Sequence, residues 1–454
     1  MEKTIRKRRT RLSRRLSKFR FFRVLNKDRG FAVVFLLLLA VVGLVVGGTL
    51  RWWSSSPAGH AGPVIRISGL DWLQAWSLRR SAQQLAREGK YDEALYTWRA
   101  AVARNLGDPE LHRGILRHLH EALVPDPAHV VIVEASVQWL ARLTRTNRTE
   151  IPLMAGVLER YTRPESGLAW ADAQGGGSGV DDPVLRVRAR CLLGAGQWEA
   201  FGRVWQGRPP GWDGDPELVL YGEAWRSATE EGAKGREAGE RLRAAVNDSG
   251  RRGAVAARLL LYSAEKRSSV EDAQTAVARL VQLHGDTTMD HVRVWTLLAA
   301  AGRGEEARRL AREYRGTPLD AAGAARFVGT LLDLGLSREA LDFLEAKIQG
   351  YGGSVEVWRA YFDALIKEAR WSELRRACAS ARLLSGRQES LTGEVLFAEL
   401  RAAVAAGRRG DGERVAPELA LSTFATPARM VAAVSTLRES GYVEQAWSLL
   451  QRGR

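Results

Sequence analysis

The residues that could do chemistry are few and scattered. His112, His118, His120 and His129 form a local enrichment, but His118 and His120 stand two apart, which sends them to different sides of a helix. No His-Glu-x-x-His pair is present to hold zinc. They read as exposed or groove-lining side chains, with no metal expected. The glycine run Gly175 to Gly179 lacks the Gly-Lys-Ser/Thr ending and the preceding strand of a phosphate-cradling loop, and reads as a flexible connection. Gly407 to Glu413 reads as a turn between helices. Glu305 with Glu306, and Asp181 with Asp182, stand at expected helix starts, where carboxylates complement the dipole. Cys191 and Cys378 lie inside apolar helical patterns. They make neither a disulfide framework nor a metal knuckle and read as buried small residues, a bridge between them being the less favoured alternative. No catalytic residue and no cofactor is expected.

The elements that would have to position any site begin with Phe31 to Leu50, FAVVFLLLLAVVGLVVGGTL, which carries no charge. At the helical rise this stretch covers roughly 30 Å, the thickness of a bilayer's hydrocarbon core, and reads as one transmembrane helix. The basic arm before it, residues 1–30, holds 13 basic and 2 acidic residues, so 13 − 2 = +11 of the formal +16 lies there. The high charge therefore reports topology. The arm stays in the cytoplasm, and the remainder of the chain is placed across an inner membrane, in the periplasm or an equivalent extracytoplasmic space. A reversed, cytosol-facing orientation is opposed by the same asymmetry. Leu12, Leu16, Phe19 and Phe22 recur at helical spacing among arginines, a pattern suited to anionic lipid headgroups, the alternative being a plain positive tail. Nucleic acid is a disfavoured partner, because the charge run comes with no base-reading motif.

A cleaved signal peptide would have a shorter apolar core behind a shorter charged start, so an uncleaved anchor is expected. Trp52 and Trp53 read as its membrane-interface residues. Gly43 and Gly47 form a small-xxx-small pair that would let two such helices approach closely as a homo-oligomer, against the ordinary glycine content of membrane helices. Residues 51–69 are rich in Ser, Gly and Pro and read as a spacer.

From Leu70 onward the pattern is helical almost without interruption. In LAREGKYDEALYTWRAAV a helix ends at Gly89 and Tyr91 follows, with Ala94 and Trp98 in the next helix. Ala82 and Ala94 allow close approach, while Leu78, Leu85, Tyr91 and Trp98 fill the space between. Similar turns carry Gly196 and Trp198; Gly302, Ala307 and Tyr314; Gly335, Ala340 and Leu344; Ala369 and Trp371, with Trp358 in the helix before; and Gly441 and Ala446. Their spacing is 33 (335 − 302), 34 (369 − 335) and 34 (441 − 407, with Gly407 as a degenerate turn), with one interval of 38 (407 − 369).

These copies resemble the tetratricopeptide repeat, a helix-turn-helix unit of about 34 residues. Individual copies are poor, several lack the turn aromatic, and another helical-repeat family remains the alternative. The resemblance implies an all-α chain in which helix-turn-helix repeats stack as a tetratricopeptide-like α-solenoid, preceded by the membrane helix. The expected divisions are repeats over 70–163, a Gly-rich linker or loop over 164–180, and repeats over 181–454. Asp215 before Pro216 reads as a helix start. Trp72, Trp76, Trp98, Trp139, Trp205, Trp225, Trp295, Trp358 and Trp447 fall in helical stretches, most of them expected between helices. The function implied is that of a membrane-anchored scaffold or assembly factor, not an enzyme. It would hold a protein or peptide partner, and the layout is similar to factors of cell-envelope biogenesis or export. The alternative is a non-catalytic or superhelical part of a cell-wall or polysaccharide enzyme.

Overall fold

Helix boundaries follow the capping chemistry written in the chain. The computed structural model describes residues 53–452 apart from 58–59, 61–63, 122–125, 146, 175–181, 319, 352–353, 386–388 and 425. The basic arm, the apolar stretch with Gly43 and Gly47, and Trp52 lie outside the described residues. Among the described residues no helix is long and apolar enough to cross a membrane.

The helices are α1 (Gly69–Arg87), α2 (Tyr91–Arg104), α3 (Pro109–His120), α4 (Val130–Thr144), α5 (Ile151–Tyr161), α6 (Pro164–Ala173), α7 (Asp182–Gly194), α8 (Trp198–Gln206), α9 (Pro216–Thr229), α10 (Ala233–Val246) and α11 (Gly250–Arg267). They continue as α12 (Val270–Gln282), α13 (Thr288–Ala300), α14 (Gly304–Glu313), α15 (Ala321–Asp333), α16 (Ser337–Lys347), α17 (Val355–Lys367), α18 (Trp371–Ser385), α19 (Glu389–Ala405), α20 (Arg409–Ala420), α21 (Pro427–Glu439) and α22 (Val443–Arg452). Ser68 and Asp71 close a capping box at the start of α1, and Thr287 with Asp290 closes another at α13. Asp215 accepts from the Glu217 and Leu218 N–H groups, so α9 begins where the Asp-Pro pair places it.

Two short strands, β1 (Trp53–Ser54) and β2 (Arg66–Ile67), pair antiparallel before α1, with Trp53 opposite Ile67. The spacer is therefore folded back on itself. Residues Pro164–Ala173 are helical, a correction to the loop expected from 164: Pro164 suits a first-turn position, and nothing to Ala173 breaks the helix.

The described chain forms two units. The first holds the described residues within Met1–Ala122, together with Val130–Thr162 and Ala169–Val187; the second holds Leu123–His129, Arg163–Leu168 and Arg188–Arg454. In the first unit α1 packs on α2, α2 on α3, and α3 on α4 and α5, over fully buried Leu111, Leu116, Leu140 and Met154. The second is built of helix pairs. The first helix of each pair (A) packs on its own second helix (B) and on the A helix of the next pair, through α9, α11, α13, α15, α17 and α19. At the end of this unit Leu396, Leu400, Val415, Leu419, Leu437 and Leu449 share one core.

Among the described residues, eight of the turns that join the two helices of a pair share one backbone geometry. Gly89, Gly196, Ser268, Gly302, Gly335, Ala369, Gly407 and Gly441 all have positive φ, between 53° and 90°. In each, the turn residue's N–H bonds to the carbonyl three residues back, and the following N–H bonds five residues back, from Lys90 to Leu85 and from Tyr442 to Leu437 for instance. This paired bonding satisfies carbonyls that a helix end leaves orphaned. Five residues beyond each turn stands a buried residue: Ala94, Phe201, Ala273, Ala307, Ala340, Leu374, Gly412 and Ala446.

Ser268 adds a copy 34 residues before Gly302 (302 − 268) that carries no glycine signal. Between Gly196 and Ser268 the pair α9–α10 turns at Gly232, 36 residues from either (232 − 196, 268 − 232). Left-handed backbone costs an alanine roughly 1–2 kcal/mol. Ala369→Gly is therefore expected to raise stability by up to about 1 kcal/mol, after the added freedom of the unfolded glycine is subtracted. Urea unfolding checks this; a lower midpoint would count against strain at this turn.

Candidate partner-binding face

Among the described residues no group of three or more His, Cys, Asp or Glu is arranged to hold a metal ion. His112 and His118 are buried, a correction to their reading as exposed or groove-lining residues. The His112 Nε2 lies 3.0 Å from the Leu106 carbonyl, its ring is stacked 6.4 Å from that of Trp139, and burial pushes it below the usual histidine pKa. His118 Nε2 lies 2.9 Å from the Tyr91 carbonyl. The first ties α3 to the loop before it, and the second ties the end of α3 to the start of α2. Cys191 and Cys378 are both buried and are not bridged to one another, and burial raises the Cys378 thiol.

The repeat-signature residues divide by role. Ala82, Ala94, Ala307, Ala340 and Ala446 are buried at helix contacts, and Trp98, Trp198 and Trp358 are buried beside them. Gly89, Gly196, Gly302, Gly335 and Gly441 make the positive-φ turns. Tyr91 does not fill the space between helices. It is 55% exposed at the first turn of α2. Trp371 starts α18 half-buried. Trp53 pairs through its backbone with Ile67. Trp72, Trp76 and Trp447 are exposed, unlike Trp205 and Trp295.

Interdigitation at two A-helix glycines was not anticipated. Trp98 of α2 lies so close to Gly114 of α3 that a Cβ there would come 2.4 Å from the ring, and in the second unit Trp205 of α8 leaves 2.2 Å at Gly222 of α9. A large ring against a bare backbone sets how closely successive pairs approach.

One arginine position recurs along the A helices of the second unit. Arg258, Arg293, Arg326 and Arg359 recur on α11, α13, α15 and α17 at intervals of 35, 33 and 33 (293 − 258, 326 − 293, 359 − 326). The first two are committed within the fold. Arg258 pairs with buried Asp290 and donates to the Gly285 carbonyl, while Arg293 reaches Glu265 at 3.2 Å and lies 4.8 Å over the Tyr262 ring. Arg326 is 66% exposed in its side chain and approaches Glu165 at 3.9 Å. Close by, Arg163 pairs with Asp320 at 2.6 Å. Arg359 is half-buried, in the field of Glu356 and Glu394.

Further along, Arg429 of α21 donates to Glu394 of α19 at 2.7 Å and to Asp363 of α17 at 2.8 Å, with its guanidinium 4.6 Å from the Phe397 ring. One side chain thus joins three A helices. Glu394 is wholly buried, its Oε1 lacks a hydrogen-bond partner, and burial holds its carboxyl above the usual range although Arg429 pulls the other way. The face as a whole can hold an extended ligand by charge and hydrogen bonding, with Arg326 and Arg359 as donors.

No protein-family profile matches the chain, and no curated protein matches it. Among solved structures, the crystal structure of the APC/C hetero-tetramer Cut9–Hcn1 aligns over 93% of this chain and 82% of that chain, at 13% identity and a TM-score of 0.38. The pentatricopeptide repeat protein PPR10 from maize aligns over 83% of this chain and 58% of its own, at 11% identity and the same TM-score of 0.38.

Proposed function

We propose that this chain is a membrane-anchored scaffold or assembly factor that binds a protein or peptide through the A-helix face of its repeats. The observation that carries the reading is the recurrence of Arg258, Arg293, Arg326 and Arg359 on the successive A helices α11, α13, α15 and α17, with the charge of Arg326 turned outward. A repeated array of this kind offers a long surface and many weak contacts, and a partner with acidic side chains at matching intervals suits it. Phe31–Leu50 serves as the anchor. The basic arm remains in the cytoplasm, on anionic headgroups, and the repeats work on the far side of a bacterial inner membrane, in envelope assembly or export. Anchoring raises the effective concentration of the face near membrane-bound partners.

The test is crosslinking and recovery from intact cells with the full-length protein beside a variant lacking residues 70–454. A partner recovered by the full chain alone supports the reading. Equal recovery by both would move the binding element to the membrane helix or basic arm and sink the assignment to the repeats.

A further inference from the structure

Most large apolar side chains of the first unit are buried, but α1 leaves Leu70, Trp72, Leu73 and Trp76 between 42% and 51% exposed. Trp72, Leu73 and Trp76 crowd one side of the helix by their spacing, a side centred away from the line of its buried residues, Ala75 and Ala82. Two turns of tryptophan and leucine in water are a poor way to finish a repeat unit, since an end helix ordinarily turns a polar face outward.

The same side changes character along the helix. Arg80 lies with its guanidinium 4.0 Å over the Trp76 ring, and Arg87 is exposed about two turns further toward the carboxyl end. Apolar rings are followed by basic side chains with long flexible stems, a combination that fits the boundary between acyl chains and headgroups. There a tryptophan ring is half in each phase and an arginine reaches the phosphates.

The folded spacer says where this face must be. Leu50 stands three residues before Trp53, a reach of about 11 Å at most for an extended chain. Trp53 is paired across the ribbon to Ile67, and Ser55 N–H bonds the Ile65 carbonyl at 3.0 Å, so the chain that leaves the apolar stretch returns to within about 5 Å of itself before α1 begins. Gly69 opens α1 two residues later. Eighteen residues separate Leu50 from Gly69, yet the ribbon brings the start of α1 back to Trp53, three residues along the chain from Leu50.

We infer that the outward face of α1, formed by Trp72, Leu73 and Trp76 with Arg80 and Arg87, lies on the headgroup layer of a bilayer containing anionic lipid, the same bilayer that Phe31–Leu50 spans. The inference rests on the anchor reading of that stretch. The membrane contact fixes the direction in which the repeats leave the surface, and the anchor and α1 together act as a two-point mount.

The test uses the full chain reconstituted in vesicles of phosphatidylglycerol and phosphatidylcholine. An environment-sensitive thiol dye is attached at Leu73→Cys or, as a water-exposed reference, at Leu383→Cys. The native thiols are buried and do not compete. Alkaline extraction is run on the same vesicles. The expected result is retention of the protein through extraction, and quenching of the residue-73 dye by lipid-borne quenchers several-fold above that of the residue-383 dye. Arg80→Glu with Arg87→Glu is expected to reduce that quenching. Retention with equal, weak quenching at both sites would overturn the docking of α1 and leave the anchor standing. Loss of the protein on extraction would overturn the anchor reading and this inference with it.

Discussion

Arg429→Met is expected to lower stability by about 3–5 kcal/mol, because it leaves the wholly buried Glu394 carboxylate without its counter-charge. The loss should be local at first. In an array of helix pairs each contacts its neighbours, so α19 to α22, which share the final core, are expected to exchange backbone hydrogens sooner than α13 and α15. The sign of the pH dependence follows from burial. Glu394 already titrates above the usual carboxylate value in the folded protein. As pH rises past that usual value the unfolded chain releases its proton first, and the folded state loses stability until its own raised value is passed. Removing Arg429 raises the folded value further, so the variant should lose more stability than the parent between acidic and neutral pH. Glu394→Gln in the Arg429→Met background is expected to recover much of the loss. Unfolding midpoints at two pH values with hydrogen exchange measure all of this, and a pH-independent deficit would mean that packing on Phe397 matters more than charge.

Gly222→Val is expected to cost about 3 kcal/mol. An added Cβ would stand 2.2 Å from the Trp205 ring, and that ring cannot yield, held by Phe201 at 5.9 Å, Trp212 at 6.0 Å and the Arg208 guanidinium at 4.4 Å. Trp205→Ala alone should cost about 3–5 kcal/mol by the opposite route, leaving a void between α8 and α9. Together, Trp205→Leu and Gly222→Ala should be less destabilising than the sum of the two single changes, since the new methyl occupies space the ring vacated. Thermal or urea unfolding of the four proteins gives the coupling. Strict additivity would show that the ring and the glycine do not meet.

Much of the array is legible in the sequence because its turns depend on local chemistry. A glycine can take the left-handed turn, and an alanine five residues later lets the next helix close on the last; neither requires knowledge of the rest of the chain. Where another residue takes the turn the signal disappears, as at Ser268, whose neighbours give a helix pattern with no break. Tyr91, His112 and His118 were misplaced for a different reason. Periodicity gives the side of a helix but not the height of its neighbour, so a ring at a first turn can stay half in water beside a histidine of the next helix, while that histidine finds a carbonyl to bond. The charge relations were beyond reach altogether. Asp363, Glu394 and Arg429 are ordinary members of amphipathic helices until α17, α19 and α21 are set side by side, and only then does one arginine serve two carboxylates. The pairing of Trp53 with Ile67 is likewise hidden, since two-residue strands leave no alternation to read.

The A-helix face is the surface proposed to hold a partner. The measurement closest to that point is partner recovery by the full-length protein carrying Arg326→Glu with Arg359→Glu, against the same charge change placed on the B helices by Arg338→Glu with Arg375→Glu. A loss of recovery of about tenfold, on the order of 1.4 kcal/mol, is predicted for the A-helix pair, with no loss for the B-helix pair. Undiminished recovery by the A-helix variant, or equal loss in both, would contradict it.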